Sequence, residues 1–406
     1  MSNPSTPRPL FLTNEYPPHV YGGAGVHVDF LTRELSKLTE VTVRSFGDQD
    51  IDQQGLRVQG IPSERDSFSC PAQLSNSFDA ALRSIRMNSL GVEADLVHCH
   101  TWYTHLGGII AKLNYGIPLV ITVHSLEPLR PWKREQLGGG YEFSSWVERT
   151  ALEMADAVIA VSSGTRDDIL RHFQIPADKI HVIFNGIDTD FYHPTSETSA
   201  LLANGIDPEK PYLLFVGRIT RQKGITYLAN AIRYLDPGFQ VVLCAGAPDT
   251  PEIAAEMESA VAAVKDRPDG VIWIDRMLDS NSMVQIYSNA SVFCCPSIYE
   301  PFGIINLEAM ACKVPVVASA VGGIPEVVLH HQTGTLVPVA QETFSPFAPR
   351  DPDIFSRDLA AGINELMANP EKRRQFGEAG RARAITRFSW KRIANETLDL
   401  YRTLCS

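Results

Sequence analysis

The 406-residue sequence predicts two consecutive α/β domains, each a doubly wound, largely parallel sheet. Three features carry that reading. Short apolar runs alternate with amphipathic helical segments along almost the whole chain. The runs are apolar at consecutive positions, as strands are when helices cover both faces of a sheet. The rhythm breaks once, near the middle, and then restarts; a chain of this length is also too long for one hydrophobic core.

Taken in order, PLFLTN, VTVRSF, ADLVHCH, PLVITVH, DAVIAVS and HVIFNG are predicted as buried strands. Helices are expected between them at Val26 to Leu38, Ala72 to Ser89, Leu106 to Asn114 and Ser144 to Met154. The stretch NGIDTDFYHPTSETSALLANG, rich in turn formers, suits an interdomain connection. Strands PYLLFVGR, FQVVLCAG, GVIWID, ASVFCCPS, VPVVAS and GTLVPV follow. These bounds give a first domain at 1–195 and a second at 206–385. The final segment, SWKRIANETLDLYRTL, is an amphipathic helix that periodicity assigns to neither. Ligands of such sheets bind beyond the carboxyl ends of the strands, so a cleft between two facing domains is the expected active site.

The formal net charge of −11 argues against nucleic acid or an anionic membrane as the main partner. An anionic substrate would need locally concentrated basic groups. The seven cysteines are odd in number and form no CxxC pair, and several sit in apolar runs. Buried, reduced thiols are expected instead of a disulfide framework or a zinc site. No apolar stretch approaches the ~20 residues of a membrane span. The opening MSNPSTPRPL lacks the regions of a signal peptide, so a cytoplasmic protein is expected.

Strand PLFLTN runs into EYPPHVYGGAGVHV. Gly22, Gly23 and Gly25 would allow positive φ and close approach to an anion at a helix N-terminus. The spacing is neither a dinucleotide fingerprint nor a Walker loop, and a plain strand-to-helix turn is the bland alternative. In the second half, VGRITRQKG places Arg218 and Lys223 beyond a strand carboxyl end. An arginine fork and a lysine point charge there could neutralise a diphosphate leaving group without a metal. A solvated basic loop is the competing reading, and Arg221 is taken as solvated. Gly246 closes the next strand, again at the ligand-facing end.

The most specific feature is SIYEPFGIINLEAMACKVPVVAS. Glu300 is expected in a loop, Glu308 more than a turn into a helix running from about Gly303 to Cys312. The backbone N–H groups of Phe302, Gly303 and Ile304 would lie at the helix start, a ready phosphate site. Carboxylates on either side of a diphosphate could accept hydroxyl groups of a sugar and a ribose. A glycosidase acid/base pair also uses two carboxylates but does not need the phosphate-type loops beside them.

EPFGIINLEAMA resembles the E-x7-E signature of retaining GT-B glycosyltransferases of family four. The similarity runs nearly end to end: YPPHVYGGAGVHV, HCHTWYTHLGG, TVHSLEPLRPWKREQLGGGYEFSSWVE, FNGID, VGRITRQKG and ASAVGGIPEVV resemble its bacterial glycogen synthase and maltose-1-phosphate synthase branch. The resemblance implies a retaining glucosyltransferase using ADP-glucose, without metal or other cofactor, acting on an α-1,4-glucan or glucose 1-phosphate. It assigns Arg218 and Lys223 to the donor diphosphate, Glu300 to the glucose hydroxyls and Glu308 to the ribose. Phe302 to Ile304 fall to sugar and phosphate, Gly23 to the diphosphate and His124 to the donor glucose near the reacting carbon. It also places 389–404 on the first domain. The larger glycogen synthases carry a lysine before x-Gly-Gly in the first loop; here His19 and Tyr21 precede Gly22 instead. A sucrose-forming transferase, a sugar-nucleotide epimerase and a non-catalytic sensor are the other readings.

On the acceptor side, Arg130, Lys133 and Arg134 lie close together after His124, which suggests an anionic acceptor; interdomain salt bridges are the alternative. Trp102 and Tyr103 could stack on sugar, or pack in the core. His98 and His100 share a strand face, but no third ligand has suitable spacing, so no metal site is expected.

Overall fold

The computed structural model describes residues 6–130, 134, 139–246 and 248–406. The chain forms two compact units, residues 1–186 with 390–406, and 187–389.

In the first unit the elements run β1 (Pro9–Thr13), α1 (Gly23–Leu35), β2 (Val41–Phe46), β3 (Asp50–Gln53), β4 (Leu56–Ile61), α2 (Ser75–Ser89), β5 (Leu96–His100), α3 (Trp102–Tyr115), β6 (Leu119–Val123), α4 (Gly140–Met154), β7 (Ala157–Ala160), α5 (Ser163–His172) and β8 (Ile180–Val182). The strand order is β3-β4-β2-β1-β5-β6-β7-β8. Every pairing is parallel except β3 with β4. Five-residue strands β1, β5 and β6 are buried along their whole length, which is why their sequences show no alternation. The β3–β4 hairpin was not expected: IDQQGLRV is largely polar, and β3 is mostly exposed at the sheet edge.

The second unit runs α6 (Ser199–Ala203), β9 (Tyr212–Arg218), α7 (Ile225–Ala231), β10 (Gln240–Gly246), α8 (Pro251–Ala262), β11 (Val271–Ile274), α9 (Ser280–Ser288), β12 (Val292–Cys295), α10 (Ile304–Ala311), β13 (Val316–Ser319), α11 (Ile324–Val327), β14 (Gly334–Val337), α12 (Pro352–Met367) and α13 (Pro370–Arg387). Its six strands are parallel, in the order β11-β10-β9-β12-β13-β14. Both sheets therefore reverse winding direction once, between β1 and β5 and between β9 and β12. Such switch points are where open α/β sheets place their ligands.

The first boundary lies earlier than the expected 195. Residues 187–203 belong to the second unit because they bond to it: Ala200 N–H and Ser199 Oγ reach Gln285, and Tyr192 reaches Glu308. The last helix, α14 (Trp390–Leu404), packs on the first unit, where Trp390, Ile393, Leu398 and Tyr401 join Phe11, Val28 and Leu31 in the core. The Tyr401 hydroxyl and His98 Nδ1 share a 2.6 Å hydrogen bond in that core. All seven cysteines are free; five are buried as expected, whereas Cys70 is half-buried and Cys405 exposed. No described helix is long and apolar enough to cross a membrane.

The Tyr401–His98 bond gives a test of where α14 belongs. Tyr401→Phe leaves His98 Nδ1 buried without a partner, at a cost of about 1–3 kcal/mol. The expected result is a lower urea midpoint with an unchanged slope.

Candidate active site

Site residues in the second unit cluster around its switch point. The loop after β9 is stitched to the end of β12 by an Ile298 N–H bond to Gln222 O, 2.9 Å. Gly224 has φ +63°, and a Cβ there would lie 2.0 Å from Pro296 O, so only glycine allows the approach. The result sets Lys223 Nζ 2.6 Å from Glu300 Oε2, which also accepts from Ser297 Oγ at 3.2 Å. Burial pulls the Lys223 pKa down, but the Glu300 charge and hydrogen bond outweigh it and the net shift is upward. Lys223 is therefore a cation at neutral pH. Glu300 is held from behind as well: Gly323 N–H donates to Glu300 O at 2.9 Å, and Gly322, φ +52°, has no room for a Cβ against the same carbonyl.

Arg218 ends β9 and lies on the surface, with Nη1 3.0 Å from Asp249 Oδ1. The two expected diphosphate cations are thus present at the strand end, each already engaged by a carboxylate. Helix α10 begins one residue later than Gly303, which caps it at φ +94°. Phe302 is buried against Phe388, ring centroids 5.9 Å apart, and Ile304 opens the helix. The first N–H groups of a helix lack intrahelical acceptors, so this end favours an anion. Gly246 pairs with Arg218 in the sheet, and its own lack of a side chain is explained by Asp275 O, 2.8 Å from where a Cβ would be.

Glu308 was expected to be open to a ribose. Instead Tyr192 donates to its Oε1 at 3.1 Å and Tyr287 to its Oε2 at 2.8 Å. Burial raises the Glu308 pKa, against the opposing pull of those two hydroxyls. Each carboxylate oxygen retains a second lone pair, so a ribose contact is still chemically open. Ser297, Tyr192, Tyr287 and Asp249 were not foreseen, since each acts only through a partner distant in sequence or around a turn.

In the first unit the glycine loop differs from expectation. None of Gly22, Gly23 and Gly25 has positive φ. The N–H groups of Tyr21 and Gly22 donate to Glu15 Oε2, at 2.9 and 2.7 Å, so a side chain of the same loop takes up this anion-binding potential. Gly25 is needed for that packing: a Cβ would lie 2.8 Å from both Glu15 Cβ and Oε2. Gly23 is exposed at the first position of α1.

His124 follows β6, and its Nε2 lies 3.0 Å from His100 Nδ1 at the end of β5. His27, from α1, packs edge-on to His124 at 4.8 Å between ring centroids. A third imidazole thus comes from a residue far from the HCH motif. His98 stands apart, with both ring nitrogens bonded, to Tyr401 and to Thr122.

The acceptor assignments hold least well. Trp102 is 4% exposed, stacked on Tyr103 at 4.1 Å, and is a core residue. Arg130 donates to Ser125 Oγ, and Arg134 pairs with Glu142. Lys133 lies outside the described residues. A cavity of about 600 Å³ opens elsewhere, beyond β1, β2 and β4, and is lined by Asn14, His19, Asp48, Arg65, Arg83 and Tyr103 among others. Arg65 and Arg83 there share one carboxylate, Asp79, at 3.9 and 3.0 Å.

The glycosyltransferase family 4 model matches residues 21–191, and the glycosyl transferases group 1 model matches 201–345. The chain belongs to glycosyltransferase family four. It is 48% identical to the alpha-maltose-1-phosphate synthase of Mycolicibacterium smegmatis, over 97% of this chain and 99% of the relative. The enzyme of the same name from Mycobacterium tuberculosis is 46% identical, over 98% and 100%. Among solved structures, sucrose-phosphate synthase from Thermosynechococcus elongatus superposes with a TM-score of 0.76 at 26% identity, over 98% of this chain and 99% of that one. The fold is GT-B, built from two Rossmann-like parallel sheets, and the chain is a sugar-transferring enzyme.

The buried imidazoles predict a pH dependence of stability. Burial lowers His27 to about 4, partly opposed by its bond to Asn185, and His105 to about 3. Burial also takes His98, His100 and His124 well below their usual range, with neighbouring imidazoles adding to the shift. The unfolded chain titrates these groups near 6.5. Between about pH 6.5 and 4 it binds protons that the folded chain refuses, so stability falls as the pH drops and is flat above 7. Each group contributes a slope of up to about 1.4 kcal/mol per pH unit. The expected result is a urea midpoint that decreases steadily from pH 7 to pH 5.

Proposed function

We propose that the chain is a retaining glucosyltransferase that moves glucose from ADP-glucose to glucose 1-phosphate, giving maltose 1-phosphate and ADP. The observation that carries this reading is the 48% identity, over nearly the full length of both chains, to an alpha-maltose-1-phosphate synthase. Elongation of an α-1,4-glucan, the glycogen-synthase type of reaction, is the competing acceptor choice.

In this reading Lys223 and Arg218 hold the donor diphosphate, joined by the N-terminal N–H groups of α10. Glu300, whose Oε2 is taken by Lys223 and Ser297, offers Oε1 to the glucose hydroxyls. Glu308 takes the ribose through the lone pairs its two tyrosines leave. His124, with Nε2 turned to His100, presents Nδ1 to the donor glucose. The bond from glucose C1 to the diphosphate oxygen breaks, and a bond from C1 to the acceptor hydroxyl oxygen forms on the same face. The acceptor proton passes to the departing phosphate oxygen. Charge on the leaving group is stabilised by fixed cations and a helix end, which requires no metal ion.

The acceptor phosphate is placed at Arg65 and Arg83. Two guanidinium groups gather there around one carboxylate, Asp79, while the cavity's other acid, Asp48, is paired with His19. The cluster of basic residues after His124 is the weaker choice, because Arg134 is matched by Glu142.

Lys223→Ala and Arg218→Ala are each expected to lower kcat by at least about 10²-fold, as removal of one preorganised contact does elsewhere. Wild-type turnover should survive extensive EDTA treatment. Near-normal kcat in both folded variants, or activity lost to chelation and restored by Mg²⁺, would overturn the donor assignment.

The acceptor is decided by competition. With ADP-glucose, equal glucose 1-phosphate and glycogen are supplied and the products weighed by mass spectrometry; maltose 1-phosphate is expected. Arg65→Met should raise KM for glucose 1-phosphate about 10- to 100-fold, the loss of one charge-assisted bond, and leave KM for the donor unchanged. Exclusive elongation of glycogen would assign the neutral acceptor instead.

A further inference from the structure

His27, His100 and His124 come from α1, the end of β5 and the residue after β6, and one ring nitrogen of each lies within 4.8 Å of the others. His27 is 2% exposed and His100 fully buried, and Nε2 of both is buried without a hydrogen-bond partner. A bare polar atom in a protein interior is costly and rare enough to require a reason. His27 Nδ1 lies 2.6 Å from Asn185 Oδ1, an acceptor, so Nδ1 carries the proton and Nε2 the lone pair. An imidazole whose outer N–H is fixed by a carbonyl oxygen is the arrangement in which proteins hold a histidine ligand. His98, two residues before His100 on β5, lacks this property because both of its nitrogens are bonded. Cys99 is turned away, with Sγ near Thr104 O.

We propose that His27, His100 and His124 form a binding site for a divalent transition ion of the zinc type, and that an ion there blocks sugar transfer. Neutral imidazoles suit zinc, cobalt, nickel and copper, while magnesium and calcium require oxygen ligands. Three imidazoles leave a fourth position for water. Ligands at about 2.0–2.1 Å in a tetrahedron stand about 3.4 Å apart, so rotations of about an ångström close the group around an ion. Coordination fixes the His124 ring. Blockage rests on the role given to His124 above; the existence of the site does not. The ion is an inhibitor in this scheme, so chelation is expected to leave turnover intact.

The test uses the full chain with Cys70→Ser and Cys405→Ser, which removes the thiols that are not buried. After EDTA treatment and dialysis it is titrated with Co²⁺ and then Zn²⁺. One equivalent of Co²⁺ should develop the visible absorption of a tetrahedral, nitrogen-ligated ion, and Zn²⁺ should displace it. His27→Gln and His100→Gln, checked for native circular dichroism, should each weaken binding by at least about 30-fold, while the exposed His19→Gln should not. Absence of the band, or its persistence in both cluster variants, would overturn the site. Zn²⁺ should also stop maltose 1-phosphate formation in the parent and not in His27→Gln. A cobalt band without any inhibition would keep the site and overturn the blockage.

Discussion

The contact on which the candidate site of the second unit depends is the ion pair of Lys223 with Glu300, residues far apart in sequence that meet at 2.6 Å. They meet because β9 and β12 are sheet neighbours, although two other strands separate them in the chain. Sheet pairing alone would leave the two loops several ångströms apart. Two glycines remove that gap, Gly224 against Pro296 O and Gly322 against Glu300 O, each in a left-handed conformation with no space for a Cβ. Lysine and carboxylate are then held in place before any substrate arrives. Pre-orientation of this kind is what makes an electrostatic contact useful in a transition state, since no reorganisation remains to be done.

The first unit follows the same topological rule with different chemistry. Its switch point, between β1 and β5, delivers Asn14 and Glu15 from one strand and His100 and Thr101 from the other. Thr101 sits at φ +66°, unusual for a β-branched residue, and its hydroxyl donates to Asn14 Oδ1 at 2.6 Å. Strain at that point is held by the bond across the switch. Here the polar groups are imidazoles kept neutral by burial, not the charged pairs of the second unit. The Lys223–Glu300 ion pair thus lies at the switch point of the second unit, and the neutral imidazoles lie at that of the first.

Most of the architecture was legible because buried parallel strands leave an unmistakable record. All twelve apolar runs read as strands are strands, since burial on both faces admits little but apolar residues. The β3–β4 hairpin was invisible for the opposite reason: an exposed edge imposes no apolar pattern. Arg218, Lys223, Glu300 and His124 could be read from their places at strand ends. What could not be read was pairing. That Glu308 is clasped by Tyr192 and Tyr287, that Glu15 fills the glycine loop, and that His27 joins His100 all depend on tertiary neighbours. Trp102, for which the sequence left sugar stacking and core packing open, is buried, and its burial too depends on tertiary neighbours.

The pairing of every donor-side cation also bears on how an acidic chain accepts a polyanion. Lys223 and Arg218 each have a carboxylate partner, so the site does not present two bare charges to solvent. An unpaired, half-buried ammonium would be driven towards its neutral form by desolvation. Glu300 reverses that tendency for Lys223, whose pKa is raised, so the cation persists in a partly buried place. An ammonium has three donors and a guanidinium five, so a phosphate can be added to either without dismantling the existing pair. The carboxylates thus keep the cations charged and aimed, and in the donor role proposed for them a diphosphate would complete their coordination. Loss of Glu300 would accordingly cost more than the sugar contact proposed for it, because the lysine it steadies would lose both direction and a support of its charge.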